Sequence, residues 1–403
     1  MDVAAPLVHA LKVTAPPTVT AGDAFSVTVA AVTAQGDPVT SYSGTVHFSS
    51  SDTSSAVVLP ADSALANGQG TFSVTLASAG SQTLIATDTT TATIVGQVTV
   101  GVSAAAASRL ALSTTATPTA GTSFSFTVKA FDRFGNTATG YAGRVHFTSS
   151  DGAATLPPDS TLTDGRATLA ATLTRAGSQT ITGTDAASLS GQLAVTVRAA
   201  PAVRLVLAGA QTATAGEAFA FTVEARDQFG NVDAAYVGRV HFASSDGSTG
   251  VVLPGDSTLT NGRGTFSATL TKAGTQTISG TDIAKATITG KLSIAVVAAG
   301  AAALSLDSPS STTVGGTFTV KVTLRDQFGN VATGYRGAVH FSTSDPLPTV
   351  MLPGDYTFTA SDAGSHTFSV QLWTPGNQTL TARDKSKSTL SDTNSITVRL
   401  LLL

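Results

Sequence analysis

The stretch DQFGNVDAAYVGRVHF, residues 227–242, contains the pattern that decides the fold. Its last three residues, Val-His-Phe, occur four times in the chain, at spacings of 99, 95 and 99 residues. A tyrosine stands five residues before each histidine. The histidines are His47, His146, His241 and His340, and the tyrosines are Tyr42, Tyr141, Tyr236 and Tyr335. Recurrence at a fixed period of about one hundred residues indicates tandem copies of one structural unit.

Two further landmarks follow Val-His-Phe in the same order in every copy. The first is a turn containing Gly, Gln and Thr, at residues 79–83, 176–180 and 273–277 and, altered, at 375–379. The second is an aspartate shortly after that turn: Asp88, Asp185, Asp282 and Asp384. We therefore predict four tandem domains, called repeats 1 to 4 below. Their predicted ranges are 1–103, 104–200, 201–299 and 300–403.

Within a repeat, apolar residues alternate with small or polar ones. In repeat 3, Phe219, Phe221 and Val223 follow this period of two, which is typical of strands with one buried face. Asn261-Gly262 is a tight hairpin signal, because both central residues of that turn need positive φ. Asn67-Gly68 and Asp164-Gly165 occupy the same place in repeats 1 and 2. About seven strands per hundred residues predict an immunoglobulin-like antiparallel sandwich. The predicted fold is all-β: four such sandwiches in an extended string, with minimal helix.

Short segments rich in small residues join the predicted repeats, at Ser103–Ser108, Arg198–Val203 and Ala298–Ala303. They lack the long Gly/Ser composition of a flexible tether. We therefore expect semi-rigid joints and a span of roughly 140–160 Å, taking ~3.3 Å per strand residue.

The most regular motif precedes each Val-His-Phe strand in repeats 2 to 4. It reads Asp-Arg-Phe-Gly-Asn at 132–136 and Asp-Gln-Phe-Gly-Asn at 227–231 and 326–330. Asp can accept a hydrogen bond from the backbone two residues on, Gly supplies the left-handed conformation, and Asn tolerates that conformation. The phenylalanine is expected to cap one end of the core. In repeat 1 the segment Thr33–Asp37 keeps only Gly36 of the motif, so turn geometry is expected to persist there.

At these residues the chain resembles the bacterial immunoglobulin-like (invasin-type) tandem repeats of secreted and surface proteins, including the stalks of invasin-type and intimin-type adhesins. The shared features are the Asp-x-x-Gly-Asn turn and the Gly-x-Val-x-Phe strand after it, and they extend over nearly the whole chain. The resemblance implies a β-sandwich and an extracellular or cell-surface setting. It brings no catalytic residues, since such repeats serve as spacers, adhesive tips or accessory modules.

Composition narrows the function classes. Only 12% of the 403 residues are charged and the net charge is −3, so the chain lacks the basic surface that binds nucleic acid or an anionic membrane. It contains no cysteine, which excludes disulfides, thiol catalysis, thiolate zinc sites and iron–sulfur clusters. We predict neither nucleic-acid binding nor membrane insertion.

The ends of the sequence carry little information. Met1–Pro6 has no basic-then-apolar pattern, so we expect no signal peptide in it. The run Leu400–Leu403 is far shorter than the ~20 residues of a membrane span. We interpret that run as the end of a last strand or as a truncation.

The four histidines of Val-His-Phe are the first candidates for chemistry. Their Val and Phe neighbours should point inward, so each histidine should point outward. We interpret them as surface cross-strand partners inherited through duplication, with a role in lateral assembly as the alternative.

Calcium is the second candidate, because carboxylate and amide oxygens suit it. Asp227, Asn231, Asp246 and Asp282 could meet at the sandwich ends, as could their equivalents in repeats 2 and 4. The acidic residues are not densely spaced, however, and turn and capping roles account for each. We predict no metal, no cofactor and no catalytic residue, and the sequence contains none of the common hydrolase or nucleotide-binding signatures.

Repeat 4 holds the only tryptophan, Trp373, with Tyr356, His366 and Pro375 near it in the sequence. An exposed aromatic cluster there could bind sugar or protein. Alternatively, Trp373 closes the strand before the altered Pro375-Gly376 turn.

The sequence therefore predicts a non-catalytic extracellular stalk that spaces or presents something at a bacterial surface. One alternative is a self-assembling extracellular fibre subunit, and another is an adhesin with its ligand site on repeat 4 loops. The expected partners are a protein or glycan at a cell surface, or other copies of the chain.

Overall fold

The computed structural model describes residues 7–400, which form 31 β-strands and no helix. The predicted all-β class is thereby confirmed for this range. In the same range no helix is long and apolar enough to cross a membrane. The expectations for Met1–Pro6, and for the leucines after Leu400, concern residues outside the described ones.

The chain divides into two compact units, Met1–Ala199 and Ala200–Leu403. Each unit contains two of the sequence repeats. The described strands form eight sheets, and every sheet takes its strands from one repeat. The division of each unit into two domains stays a prediction.

Repeat 1 has a three-stranded sheet and a five-stranded sheet. Its strands are β1 (Ala10–Thr14), β2 (Thr18–Thr20), β3 (Ala24–Val32), β4 (Thr45–Ser50), β5 (Ser63–Ala64), β6 (Gln69–Thr75), β7 (Gly80–Asp88) and β8 (Val95–Ser103). The order is β1-β3-β6 in one sheet and β2-β8-β7-β4-β5 in the other. Pairing is antiparallel except between β2 and β8. Residues of both sheets meet in one apolar core.

Repeat 2 follows the same plan with one strand fewer. Its strands are β9 (Ala107–Ser113), β10 (Ser123–Asp132), β11 (Arg144–Ser149), β12 (Ser160–Thr161), β13 (Arg166–Thr172), β14 (Gly177–Asp185) and β15 (Ser190–Val197). The sheets are β13-β10-β9 and β12-β11-β14-β15. A single parallel bridge between Thr119 and Arg198 takes the place of the short parallel strand.

Repeats 3 and 4 both return to the arrangement of repeat 1. Repeat 3 contains β16 (Arg204–Gly209), β17 (Thr212–Thr214), β18 (Ala218–Arg226), β19 (Arg239–Ser244), β20 (Ser257–Thr258), β21 (Arg263–Thr269), β22 (Gly274–Asp282) and β23 (Thr289–Val297). Repeat 4 contains β24 (Ala303–Asp307), β25 (Ser311–Thr313), β26 (Thr317–Arg325), β27 (Ala338–Thr343), β28 (Tyr356–Thr357), β29 (Ser365–Gln371), β30 (Gly376–Asp384) and β31 (Ser391–Arg399).

The alternating residues build the core as predicted. In repeat 3, Phe221 and Val223 of β18 are fully buried. The Phe221 ring meets Phe242 of the opposite sheet edge to face, with centroids 5.7 Å apart. Burying an apolar side chain of this size stabilises a fold by about 1.5–3 kcal/mol, so these contacts hold the two sheets together.

The hairpin prediction is confirmed in three repeats and incomplete in the fourth. Asn261 and Gly262 have φ of 50° and 70°. Asn67-Gly68 and Asp164-Gly165 adopt the same conformation. In repeat 4 the corresponding pair is Ala363-Gly364, with φ of 45° and 81°. Alanine gives no turn signal, so this hairpin was not predicted.

Two sequence landmarks, the tyrosine and the later aspartate, meet in space. In every repeat the tyrosine hydroxyl donates a hydrogen bond to Oδ2 of the aspartate. The pairs are Tyr42–Asp88, Tyr141–Asp185 at 2.7 Å, Tyr236–Asp282 and Tyr335–Asp384. Oδ1 of Asp282 accepts the N–H groups of Ala284 and Lys285, both at 2.8 Å. The pair therefore ties the loop before the Val-His-Phe strand to the loop after β22.

The electrostatics of this pair follow from its partial burial. Burial, together with the bond to Asp88, raises the pKa of Tyr42. Burial alone would raise the pKa of Asp88, but hydrogen bonds from Thr90 and Tyr42 lower it to about 2. The glycine of Gly-x-Val-x-Phe belongs to the same arrangement, because a Cβ on Gly238 would overlap the Tyr236 hydroxyl.

Tyr335→Phe should lower the stability of repeat 4 by about 1–3 kcal/mol, since a buried carboxylate loses one donor. Urea unfolding followed by the fluorescence of Trp373, the only tryptophan, measures this repeat selectively. Tyr42→Phe removes the same hydroxyl from repeat 1 and should leave the Trp373 transition in place.

Hydrogen bonding lowers the pKa of Asp384 in the folded state even though burial raises it. The stabilisation is therefore complete above the unfolded value of ~3.9 and is lost as pH falls through the lower folded value. The difference in the free energy of unfolding of repeat 4 between Tyr335→Phe and the unaltered chain should therefore shrink as the pH falls through this range. Equal midpoints at neutral pH would contradict the assignment.

Candidate functional site: the joint between repeats

The Asp-x-Phe-Gly-Asn turn begins where the long strands β10, β18 and β26 end. Oδ1 of Asp132 accepts the N–H groups of Phe134 and Asn136, each at 2.9 Å. Gly135 has φ of 89°. The predicted roles of Asp and Gly are thus confirmed. Gly36 has φ of 93°, so the turn of repeat 1 keeps its left-handed glycine without the aspartate.

The second oxygen of the aspartate holds the segment that links two repeats. Oδ2 of Asp132 accepts the N–H of Ala105 at 3.0 Å. The same bond, at the same length, joins Asp227 to Ala200 and Asp326 to Ala299. Burial raises the pKa of Asp132, but bonds from Asn136 and Ala105 outweigh it and lower the pKa overall. One carboxylate therefore fixes both the turn and the linker.

The asparagine of the motif bridges to the preceding repeat. Nδ2 of Asn136 donates to the carbonyl of Ala77 at 2.7 Å, and its Oδ1 accepts the N–H of Ala79 at 2.8 Å. Nδ2 also donates to Oδ2 of Asp132 at 2.8 Å, which orients the amide. In the second unit, Asn330 makes the same two bonds, to Thr271 and Ala273, at 2.7 and 2.8 Å.

The predicted role of this asparagine was wrong. The residues with positive φ outside glycine in the described chain are Asn67, Asp164, Ser188, Asn261 and Ala363, so the motif asparagines do not adopt the left-handed conformation. The reason for the residue type lies in its side chain instead. Only an amide offers a donor and an acceptor side by side, which matches one backbone C=O and one backbone N–H.

The phenylalanine of the motif packs on the preceding repeat. Phe134 lies against the core of repeat 1, and a Cβ on Gly22 would overlap its ring. Phe328 lies against the core of repeat 3 in the same way, over Gly216. The expected cap on a core is therefore present in these two joints, but the core belongs to the neighbouring repeat.

The surface that accepts the turn of the next repeat is called the receiving surface below; in repeat 3 it comprises Gly216 and the backbone of Thr271–Ala273. A carboxylate of the same repeat holds it in position. Oδ2 of Asp246 accepts the N–H groups of Thr271 and Lys272 at 2.7 and 2.8 Å. Burial raises the pKa of Asp246, but bonds from Ser248 and these backbone groups lower it to about 2. Asp52 holds Ala77 and Ser78 alike. The carboxylate thus positions the backbone groups that the next repeat's asparagine binds.

The contacts of the joint act on the relative orientation of two successive repeats. Each asparagine bond between repeats contributes about 0.5–1.5 kcal/mol, and the phenylalanine adds apolar burial. These contacts come from one turn and reach two parts of the preceding repeat. They oppose both bending and twisting at the linker.

The structure does not bring the calcium candidates of repeat 3 together. Asp227, Asp246 and Asp282 each bind a different set of backbone and hydroxyl donors; only Asp227 and Asn231 are in contact. Residues 7–400 contain no group of three or more acidic or histidine side chains suited to a metal. The equivalents Asp132, Asn136, Asp151 and Asp185 in repeat 2, and Asp326, Asn330, Asp345 and Asp384 in repeat 4, follow the same pattern.

The four Val-His-Phe histidines are exposed, as predicted, and each has an acidic partner. Nδ1 lies 2.7 Å from a carboxylate Oδ1 in every repeat. The pairs are His47–Asp62, His146–Asp159, His241–Asp256 and His340–Asp355. Sequence reasoning missed these partners, although an aspartate before Ser or Tyr recurs in all four copies. Exposed pairs of this kind contribute little to stability.

The aromatic residues of repeat 4 do not form a single cluster. Tyr356 and His366 stack with ring centroids 4.1 Å apart, and both bind Asp362. Trp373 makes no ring contact with either among the described residues. Its backbone N–H donates to Asp345 at 2.6 Å, and its ring lies over Gly315. The alternative interpretation, in which Trp373 closes the strand before Pro375, fits this placement.

No protein-family model matches the chain, and no curated protein matches it. The similar solved structures include the Escherichia coli adhesin FdeC, with 19% identity, 73% of this chain and 96% of that chain covered, and a TM-score of 0.39. Invasin, a bacterial integrin-binding protein, has 15% identity, coverage of 96% and 79%, and a TM-score of 0.34. The Yersinia pseudotuberculosis adhesin InvE has 20% identity, coverage of 47% and 60%, and a TM-score of 0.23. Bacterial adhesins are thus among the structures that the chain resembles.

Asn330→Ala should widen the range of orientations between repeats 3 and 4, because both hydrogen bonds to repeat 3 disappear. The chain has no cysteine, so spin labels can be placed at Ser267→Cys and Ser369→Cys, which are equivalent exposed positions on β21 and β29. Double electron–electron resonance should give a narrow distance distribution before the substitution and a broader one after it.

Gln327→Ala is the matched control, since Gln327 is the exposed, variable residue of the same turn. It should leave the distribution narrow. A distribution that is equally narrow with Asn330→Ala would show that the asparagine does not hold the joint.

Proposed function

We propose that the chain is a non-catalytic stalk of an extracellular or cell-surface protein, in which tandem immunoglobulin-like repeats hold something at a distance from its attachment. The observation that carries this proposal is the Asp-Phe-Asn joint. It occurs with the same bonds between repeats 1 and 2 and between repeats 3 and 4.

A fixed joint has a direct consequence for reach. The end-to-end distance of a flexible tether grows only with about the square root of its length, whereas a series of fixed joints adds the full length of each repeat. The aspartate that ties down the linker N–H removes the freedom that small linker residues would otherwise give. This is the property that a spacer requires.

The resemblance of the turn and strand motifs to bacterial surface repeats supports the extracellular setting. The surface composition agrees with it, because outward strand positions carry Thr, Ser and Ala more often than charged residues. The division into four domains, with boundaries near residues 103, 200 and 299, belongs to this proposal. A non-catalytic role is proposed because the side-chain network of the turn motif binds the linker and the preceding repeat.

Small-angle X-ray scattering of the whole chain tests the proposal. An elongated monomer with a maximum dimension of roughly 140–160 Å is expected from the strand lengths. The paired substitution Phe134→Ala and Phe328→Ala should shorten the average dimension, because two joints lose their apolar contact. Calcium should leave the curve unchanged.

A compact envelope would contradict the stalk. Polymers that form with rising concentration would favour a self-assembling fibre instead. A curve that lengthens only with calcium would restore the metal site as the element that stiffens the joints.

A further inference from the structure

The surface of repeat 4 that corresponds to the receiving surface of repeats 1 and 3 is built differently. The correspondence rests on a backbone hydrogen bond. In each of these three repeats the N–H of a left-handed glycine donates to the carbonyl of the leucine that directly follows β6, β21 or β29. Gly22 donates to Leu76, Gly216 to Leu270 and Gly315 to Leu372, at 2.8, 2.8 and 2.9 Å. Gly315 therefore stands where Gly22 and Gly216 stand in their own repeats.

The ring that covers this glycine comes from a different place. In repeats 1 and 3 it is the phenylalanine of the following repeat. In repeat 4 it is Trp373 of the same repeat: a Cβ on Gly315 would lie 2.9–3.1 Å from three atoms of the indole ring. Trp373 directly follows Leu372, as Ala77 follows Leu76 and Thr271 follows Leu270. It thus fills from within the space that an incoming phenylalanine occupies elsewhere.

The hydrogen-bonding half of the surface is altered as well. The asparagine of an incoming turn accepts the N–H of Ala79 in repeat 1 and of Ala273 in repeat 3. The equivalent residue in repeat 4 is Pro375, which has no N–H to donate. An asparagine oxygen placed there would be desolvated without a donor, at a cost of about 1–3 kcal/mol.

The underlying turn is nevertheless intact. Asp345 accepts the N–H groups of Trp373 and Thr374 at 2.6 and 2.9 Å, as Asp246 does in repeat 3. The indole Nε1 is the one buried side-chain nitrogen or oxygen without a hydrogen-bond partner in residues 7–400. Burying an unpaired N–H costs free energy, so the stabilisation that holds the Trp373 ring there comes from its apolar contacts. The ring closes this end of the repeat.

We propose that repeat 4 presents a closed end, which does not accept an Asp-x-Phe-Gly-Asn turn from a further repeat or from a second copy of this chain. Repeat 1 also lacks the turn that would have to bind to repeat 4 of another copy. Repeat 1 has Thr33, Gln35 and Asp37 where the motif has Asp, Phe and Asn. Copies of the chain therefore do not join end to end through this joint. The inference rests on the proposed role of the joint.

The test gives repeat 4 a partner by fusion. Residues 104–200, which carry a complete motif, are appended after residue 399 of the full chain. Spin labels replace Ser369 and, in the appended copy, Ala170, both on exposed strand positions. The distance distribution should be broad in this protein. With Trp373→Thr and Pro375→Ala, which restore the residues of repeat 3, it should become at least twofold narrower.

A narrow distribution without the two substitutions would overturn the proposal, and so would a broad one with them. The pair at Ser267 and Ser369 in the chain without the fusion serves as reference. If that pair is also broad, the joint itself fails and the proposed stalk fails with it. If the distribution between Ser267 and Ser369 is narrow and either of the two overturning results is found, only the closed end is refuted. Thermal unfolding checks that each variant is folded.

The reciprocal substitutions are made in repeat 3, so their result does not depend on whether altered repeat 4 folds. Thr271→Trp with Ala273→Pro should close the receiving surface of repeat 3 and broaden the distribution between Ser267 and Ser369. Thr271→Ala, which copies repeat 1, should leave it narrow. Broadening by both variants, or by neither, would contradict the roles assigned to the tryptophan and the proline.

Discussion

The joint between repeats 1 and 2 and the joint between repeats 3 and 4 each depend on one side-chain amide. An asparagine at the end of a turn satisfies a backbone carbonyl and a backbone N–H of the repeat before it, at 2.7 and 2.8 Å for Asn136. Both groups lie in the turn between β6 and β7, outside the paired residues of either sheet, so they need partners from elsewhere. The neighbouring repeat provides them, and this makes the orientation of the two repeats a matter of hydrogen-bond geometry instead of linker composition.

A single carboxylate binds the turn, the linker and the asparagine amide. Asp132 closes its turn through one oxygen, and through the other it holds both the linker N–H and the asparagine amide. The phenylalanine between them lies above the left-handed glycine of the preceding repeat. A second carboxylate, Asp52 or Asp246, presents the receiving backbone from the other side. Turn, linker and interface are therefore specified together by residues that are far apart in the sequence.

The sequence predicted the elements of the fold but not the contacts between repeats. Alternation in residues such as Phe221 and Val223 and the hairpin at Asn261-Gly262 are local signals, and the structure confirms both. The partnership of Tyr236 with Asp282 was not predicted, because it joins landmarks 46 residues apart. The aspartate and glycine of the turn were predicted correctly from turn chemistry. The asparagine was misinterpreted for the same reason: its partners, such as Ala77, are 59 residues away, and no local rule points to them. The sequence left open whether Trp373 joins Tyr356 and His366 in a binding cluster, because proximity along the chain does not give the separation in the fold.

The central claim is that the asparagine, aspartate and phenylalanine of one turn fix two repeats as a single body. Backbone residual dipolar couplings of the whole chain in a weakly aligning medium test it most directly. Repeats 3 and 4 should fit one alignment tensor of common magnitude and orientation. The combined substitution Phe328→Ala and Asn330→Ala should give them tensors of different magnitude. Unequal tensors for the two repeats in the unaltered chain would contradict the claim.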